Sequence, residues 1–225
     1  MFSSNVQQRG AVREVVLPLC KRGLVEVAAG VGVIIFLTLP QLDEIFDSNL
    51  VLHLAVQHMF LIVGGFVVAQ GLDRLVLVVS AFKESVAKAY TELLRVNVRF
   101  NRRGVLAFAV GGLVVAYSHL PSSFNAALTS ELVHAEMHVT LIVAGSLFFV
   151  GFKLLTPNMR LLTYILGCKA MAIFGAYLLV SPIVIYGAFP YPEQAQAGAA
   201  MVAMCVASDA TIIPLWLKRF FSKKA

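Results

Sequence analysis

KRGLVEVAAGVGVIIFLTLP, residues 21–40, lies without a gap over RRGVLAFAVGGLVVAYSHLP, residues 102–121, when the chain is slid by 81 positions. Gly23 pairs with Gly104, Gly30 with Gly111 and Pro40 with Pro121. The match continues outward: His53 falls on His134, and once one residue is dropped His58 falls on His138, followed by LIVGG (61–65) over LIVAG (141–145). Chance apolar similarity does not reproduce the basic-glycine start, the proline and the histidine pair together. The first four apolar segments therefore read as two helical hairpins in the same orientation, a parallel repeat. The repeats run over about 21–72 and 102–153, the stretch 73–101 joins them, and a terminal helix pair fills 159–220 with no third copy. The whole chain, 1–225, reads as one membrane domain of class all-α.

The composition agrees, since 59% hydrophobic and 13% charged residues with a mean hydropathy of +0.84 exclude an ordinary soluble domain. At about 20 apolar residues per crossing, the runs near 23–41, 50–72, 104–120, 129–152, 161–187 and 195–217 predict six transmembrane helices. Between the second and third, apolar residues recur at helical spacing among Lys83, Glu84, Lys88, Glu92, Arg95 and Arg99. That pattern predicts an amphipathic helix along the membrane surface or a continuation of the second span.

Lysine and arginine sit before the first span, in a cluster from Arg74 to Arg103, at Lys153 and Arg160, and after the sixth span, while 42–49, 121–128 and 188–194 contain none. Because cations are retained on the cytoplasmic side, both termini and the 73–103 segment are expected there, in a multi-pass protein of the cell membrane. The basic balance, with a net charge of +6, then needs no nucleic acid. Cys20, Cys168 and Cys205 are widely separated and indicate neither a disulfide framework nor a thiolate metal site. Lys169 and Asp209, at matching depth in the last two helices, read as a membrane-embedded ion pair, and Arg22 with Glu26 as a helical one.

All five histidines, His53, His58, His119, His134 and His138, fall near the outer ends of spans two, three and four. Ionisable groups inside a membrane are costly and usually face an interior where they pair or bind something. Paired histidines on two equivalent helices point to metal or haem ligation, against the plainer reading of helix-bridging hydrogen bonds. His134 and His138 share a helix face. His53 and His58, five positions apart, diverge by about 140° on an ideal helix, so a π-bulge near Gln57 is expected to bring them together. Copper is the expected metal, with Met59, Met137 and Met201 as soft groups nearby, and Glu136 is the expected carboxylate partner, Glu131 being a loop acid. Haem b, held between His58 and His138, is the alternative. No catalytic motif is found.

LPQLDEIFDSNLVLHLAVQHMFLIVGG and SHLPSSFNAALTSELVHAEMHVTLIVAG, with the later YLLVSPIVIYGAFPYPEQAQAGAAMVAM, resemble the CtaG family of cytochrome oxidase assembly factors and its archaeal relatives of unknown function. That family shows, twice, a proline, a short acidic-aromatic loop, and a helix opening with His-x(3,4)-His. The resemblance covers about two thirds of the chain and implies copper delivery to, or assembly of, a haem-copper oxidase. The leading expectation is a metal-handling factor or accessory subunit of a terminal oxidase or similar redox complex, with the lipid bilayer and other membrane subunits as partners. A haem-binding electron-transfer subunit and a cofactor-free structural subunit are the rivals.

Overall fold

The computed structural model describes residues 3–222, with side chains from 16 to 218. Arg9, Arg13, Arg219, Lys223 and Lys224, which carry part of the charge asymmetry, lie outside the described side chains. The described residues form an all-helical, polytopic bundle without strands. The helices are α1 (Ser3–Leu37), α2 (Pro40–Asp47), α3 (Met59–Ser80, opened by a π-helical turn Leu52–His58), α4 (Glu84–Phe100), α5 (Val105–Ser118), α6 (Pro121–Ala127), α7 (Glu131–Leu154), α8 (Pro157–Val180) and α9 (Tyr191–Ser222).

Among the described residues, four helices are long and apolar enough to cross a membrane: Leu52–Ser80, Glu131–Leu154, Pro157–Val180 and Tyr191–Lys218. The count reaches the expected six if each bent pair is one span, Val16–Leu37 with Pro40–Asp47 (64°) and Arg102–Ser118 with Pro121–Ala127 (65°). Each bend follows from a proline, whose ring forces the preceding residue out of the helical region. Leu39 and Leu120 accordingly take ψ of 129° and 138°. The same effect shortens the fifth span, expected to reach 187. Ser181, before Pro182, adopts ψ 128° and α8 ends at Val180. The second span is instead longer than the expected end at 72, because the charges it acquires are paired: Asp73 meets Lys153, and Arg74 lies 2.7 Å from Glu26.

The chain divides into two compact units. The first contains Met1–Thr38, Phe60–Val115 and Val139–Leu154. Its helices approach through glycine, as membrane helices do where small residues let backbones meet. Gly23 packs on Gly71 and Gly104 on Gly151, matching positions of the two proposed repeats, and a Cβ on Gly65 would stand 2.1 Å from Ile142 O. Gly104 is doubly constrained, with φ +73° and Gly151 O 2.2 Å from where its Cβ would be. The tight link before α5 is held by buried Asn101, whose Oδ1 accepts from Ala107 N at 3.0 Å. The amphipathic segment is a separate helix, α4, tied down by Tyr90, whose hydroxyl donates to Asp73 Oδ1 at 2.8 Å and contacts Lys153 Nζ.

The second unit contains Leu39–Met59, Ala116–His138 and Leu155–Ala225. In its α8 and α9 pair, Lys169 and Asp209 make the expected ion pair, joined by Tyr164, which donates to Asp209 at 3.2 Å. Cys168 and Cys205, far apart in sequence, are brought together as free thiols, with Cys205 Sγ donating to Cys168 O at 3.0 Å. Buried Gln194 orders the loop between these helices, accepting from Ile185 N and Tyr186 N and donating to Tyr186 O and Phe189 O.

Candidate metal centre

The π-helical turn Leu52–His58 is the local feature that builds the site. Its start is fixed by Asn49, whose side-chain oxygen accepts from Val51 N at 2.9 Å and Leu52 N at 3.1 Å. A π turn closes i→i+5 instead of i→i+4, so residues five apart return to one face. His53 and His58 therefore point the same way, with ring centroids 4.4 Å apart. The bulge expected near Gln57 is present. In α7, ordinary helical spacing places His134 and His138 side by side, centroids 4.2 Å apart.

The two pairs converge within the second unit. His53 and His134 are 5.7 Å apart between ring centroids, and His58 and His138 are 6.3 Å apart. His119, half-buried at the end of α5, brings Nε2 to 3.3 Å from His58 Nδ1. The four paired imidazoles are at most 7% exposed. Phe124 of α6 packs against His53 and His58 at 5.0 and 6.0 Å, and Tyr186 against Phe124. The Tyr186 hydroxyl donates to His119 O at 2.8 Å. Burial pushes that phenol well above its usual range, so it stays a neutral donor.

The carboxylates at the cluster come from α2. Asp47 Oδ1 lies 2.7 Å from His53 Nδ1, and Asp47 Oδ2 lies 3.6 Å from His134 Nδ1. Asp43 Oδ1 stands 3.4 Å from His134 Nε2 and 3.9 Å from His138 Nε2, and it accepts from Gln57 Nε2. Glu136, expected as the carboxylate partner, is exposed. Two positions from each histidine on a regular helix, it lies on the opposite face, about 200° around. Glu131 is also exposed. The missed pair had a signal in the sequence: Asp43 and Asp47 are four apart, on one face of any helix that follows Pro40.

The donor set suits a cation. Nε2 of His53, His58, His134 and His138 is buried in each case and makes no hydrogen bond among the described residues. A buried nitrogen without a hydrogen bond is costly, and two of the four, on His134 and His138, stand within 4 Å of Asp43 Oδ1. Ligand atoms of Asp43, His134 and His138 all lie within 4.8 Å of one another. Donors on one ion with bonds of about 2.0 to 2.1 Å sit roughly 3 to 4 Å apart, so a small contraction of these three side chains would bring three donors onto one ion. Asp47 on His53 reproduces the carboxylate–histidine pairing that orients imidazole ligands.

Residues 27–221, which include every member of this cluster, match the family model described as cytochrome c oxidase caa3 assembly factor. No curated protein and no solved structure matches the chain. With well over half of its length matched, the chain belongs to the cytochrome c oxidase caa3 assembly factor (CtaG) family.

Proposed function

We propose that this protein handles copper during assembly of a terminal oxidase, holding the ion as cargo at Asp43, His134 and His138. His53 is oriented by Asp47, and His58 with His119 forms the adjoining wall. The observation that carries this reading is the set of four buried imidazole Nε2 atoms without hydrogen bonds, gathered beside two carboxylates. Imidazole with carboxylate accepts divalent copper, zinc and iron, and copper binds most tightly of the three at a given site of this kind. The family description, cytochrome c oxidase caa3 assembly factor, together with the copper delivery that the family resemblance implies, supports copper as the cargo. The cluster favours a single ion over haem: the rings of His53, His119 and Phe124 lie 4.4 to 6.0 Å from His58, a crowding that leaves no planar slot for a porphyrin between His58 and His138. The distribution of Lys and Arg supports a cell-membrane topology with the 73–103 segment cytoplasmic and the histidines in the outer half, so that copper would enter from outside.

The test is metal analysis with an optical spectrum on detergent-purified protein after exposure to Cu(II). One bound copper per chain, lost in His138→Ala while the variant stays monodisperse and helical, supports the reading. A Soret band replaces it with haem ligation. Protein that takes up neither metal nor haem returns the chain to a structural role in oxidase assembly.

A further inference from the structure

The helix α4 shows three faces. Val86, Ala87, Tyr90, Leu94 and Asn97 are half-buried and face the rest of the first unit. Ala89, Leu93, Val96 and Phe100 form a second stripe at helical spacing that no described residue covers: Leu93 is 65% exposed, Val96 52% and Phe100 67%. Lys88, Glu92, Arg95 and Arg99 form the third, on the side away from the packed face. An apolar stripe open to the surroundings between a docked edge and a charged edge is the arrangement of a helix lying in a bilayer interface.

Its depth is set by the spans. Tyr90 is bound to Asp73, seven residues before the end of α3, and to Lys153 at the end of α7, so the helix lies level with the last turns of two membrane helices. Beside this triad is a cavity of about 280 Å³ whose apolar wall is Leu93, Leu94, Val96, Phe149 and Val150. Across 83–103 there are six basic residues, Lys83, Lys88, Arg95, Arg99, Arg102 and Arg103, against Glu84 and Glu92, a net charge of +4. Lys88 and Arg95 are held by the two glutamates of the helix.

We propose that α4 is a binding site for anionic phospholipid, with Leu93, Val96 and Phe100 in the upper acyl region and the cationic edge and the 102–103 arginines on lipid phosphate. Charge complementarity selects this occupant, since each cation near an anionic leaflet strengthens binding about fivefold. A second copy or another membrane subunit on the same stripe would call for apolar contact without a field of uncompensated cations. The site is separate from the histidine cluster and independent of what that cluster binds.

The experiment uses the full chain with Leu93→Trp in a Trp216→Phe background, in vesicles of phosphatidylcholine with or without phosphatidylglycerol, each lipid supplied in turn with bromine on shallow acyl carbons. Blue-shifted emission, quenched several-fold more by brominated phosphatidylglycerol than by the same fraction of brominated phosphatidylcholine, is the expected result. Arg99→Gln with Arg102→Gln, both exposed positions outside the helix's own ion pairs, should reduce that preference severalfold while leaving the emission blue-shifted. Emission characteristic of water without quenching, equal quenching by both lipids, or protection from quenching that grows with protein density in the vesicle would each overturn the proposal, the last by assigning the stripe to protein contact.

Discussion

His53 and His134 occupy matching positions when the two repeats are aligned, yet the acids they meet both come from α2. At the same 81-residue offset the partner of Asp43 is Phe124, a fully buried ring that walls the cluster where its counterpart supplies an oxygen. The site is thus built from two similar sequences that differ at the positions which set its charge. Two predictions belong here. Asp43→Asn should lower copper affinity strongly, because it neutralises the one oxygen close to both His134 and His138; unchanged affinity in competition titrations would remove Asp43 from the ligand set. Asp47→Asn should cost about 10- to 100-fold, the usual effect of removing an orienting carboxylate, without changing the number of ions bound.

Among the elements, the π turn and the link before α5 are the two with the most specific demands. The π turn absorbs the one residue by which Leu52–His58 exceeds the corresponding part of α7. Deleting Val56 should convert it to ordinary α-helix with the His-x(3)-His spacing of α7, both rings still on one face and copper binding kept. Loss of binding in that deletion would mean that the bulge does more than restore the register. At the link, Gly104→Ala should destabilise the detergent-solubilised protein by about 2 to 5 kcal/mol, the sum of a left-handed alanine and a forced backbone clash. Gly112→Ala, where a Cβ meets nothing within 4 Å, is the matched control and should leave thermal unfolding unchanged.

At the scale of the whole molecule, the distribution of cations makes a directional prediction. A membrane-impermeant maleimide applied to intact cells should label Gly187→Cys, in the loop between α8 and α9, and should reach Ser85→Cys, at the start of α4, only after permeabilisation, both in a Cys20→Ser background. The reverse pattern would invert the topology and put the histidine cluster on the cytoplasmic side. Both positions are exposed, so labelling reads the side of the membrane and not burial.

Helical class, the position of the apolar segments and the collection of histidines at one level were legible in the sequence, because each depends on local composition and on periodicity along one chain. The bulge was legible too, as a mismatch of one residue between otherwise aligned helices. Two ion pairs, Arg22 with Glu26 and Lys169 with Asp209, could be read from spacing and depth. The spacing of Asp43 and Asp47 marks them as a pair on one helix face, but not as the partners of the histidines. Glu136 stands beside the histidines in sequence but points away from them, whereas Asp43 and Asp47 reach them after the chain turns at Pro40. The meeting of Cys168 with Cys205, the extension of α3 to Ser80 behind its paired charges, and the docking of Tyr90 on Asp73 and Lys153 were equally out of reach. Sequence sets what each helix presents on each face; which faces meet depends on how the helices pack, and only the tertiary structure decides that.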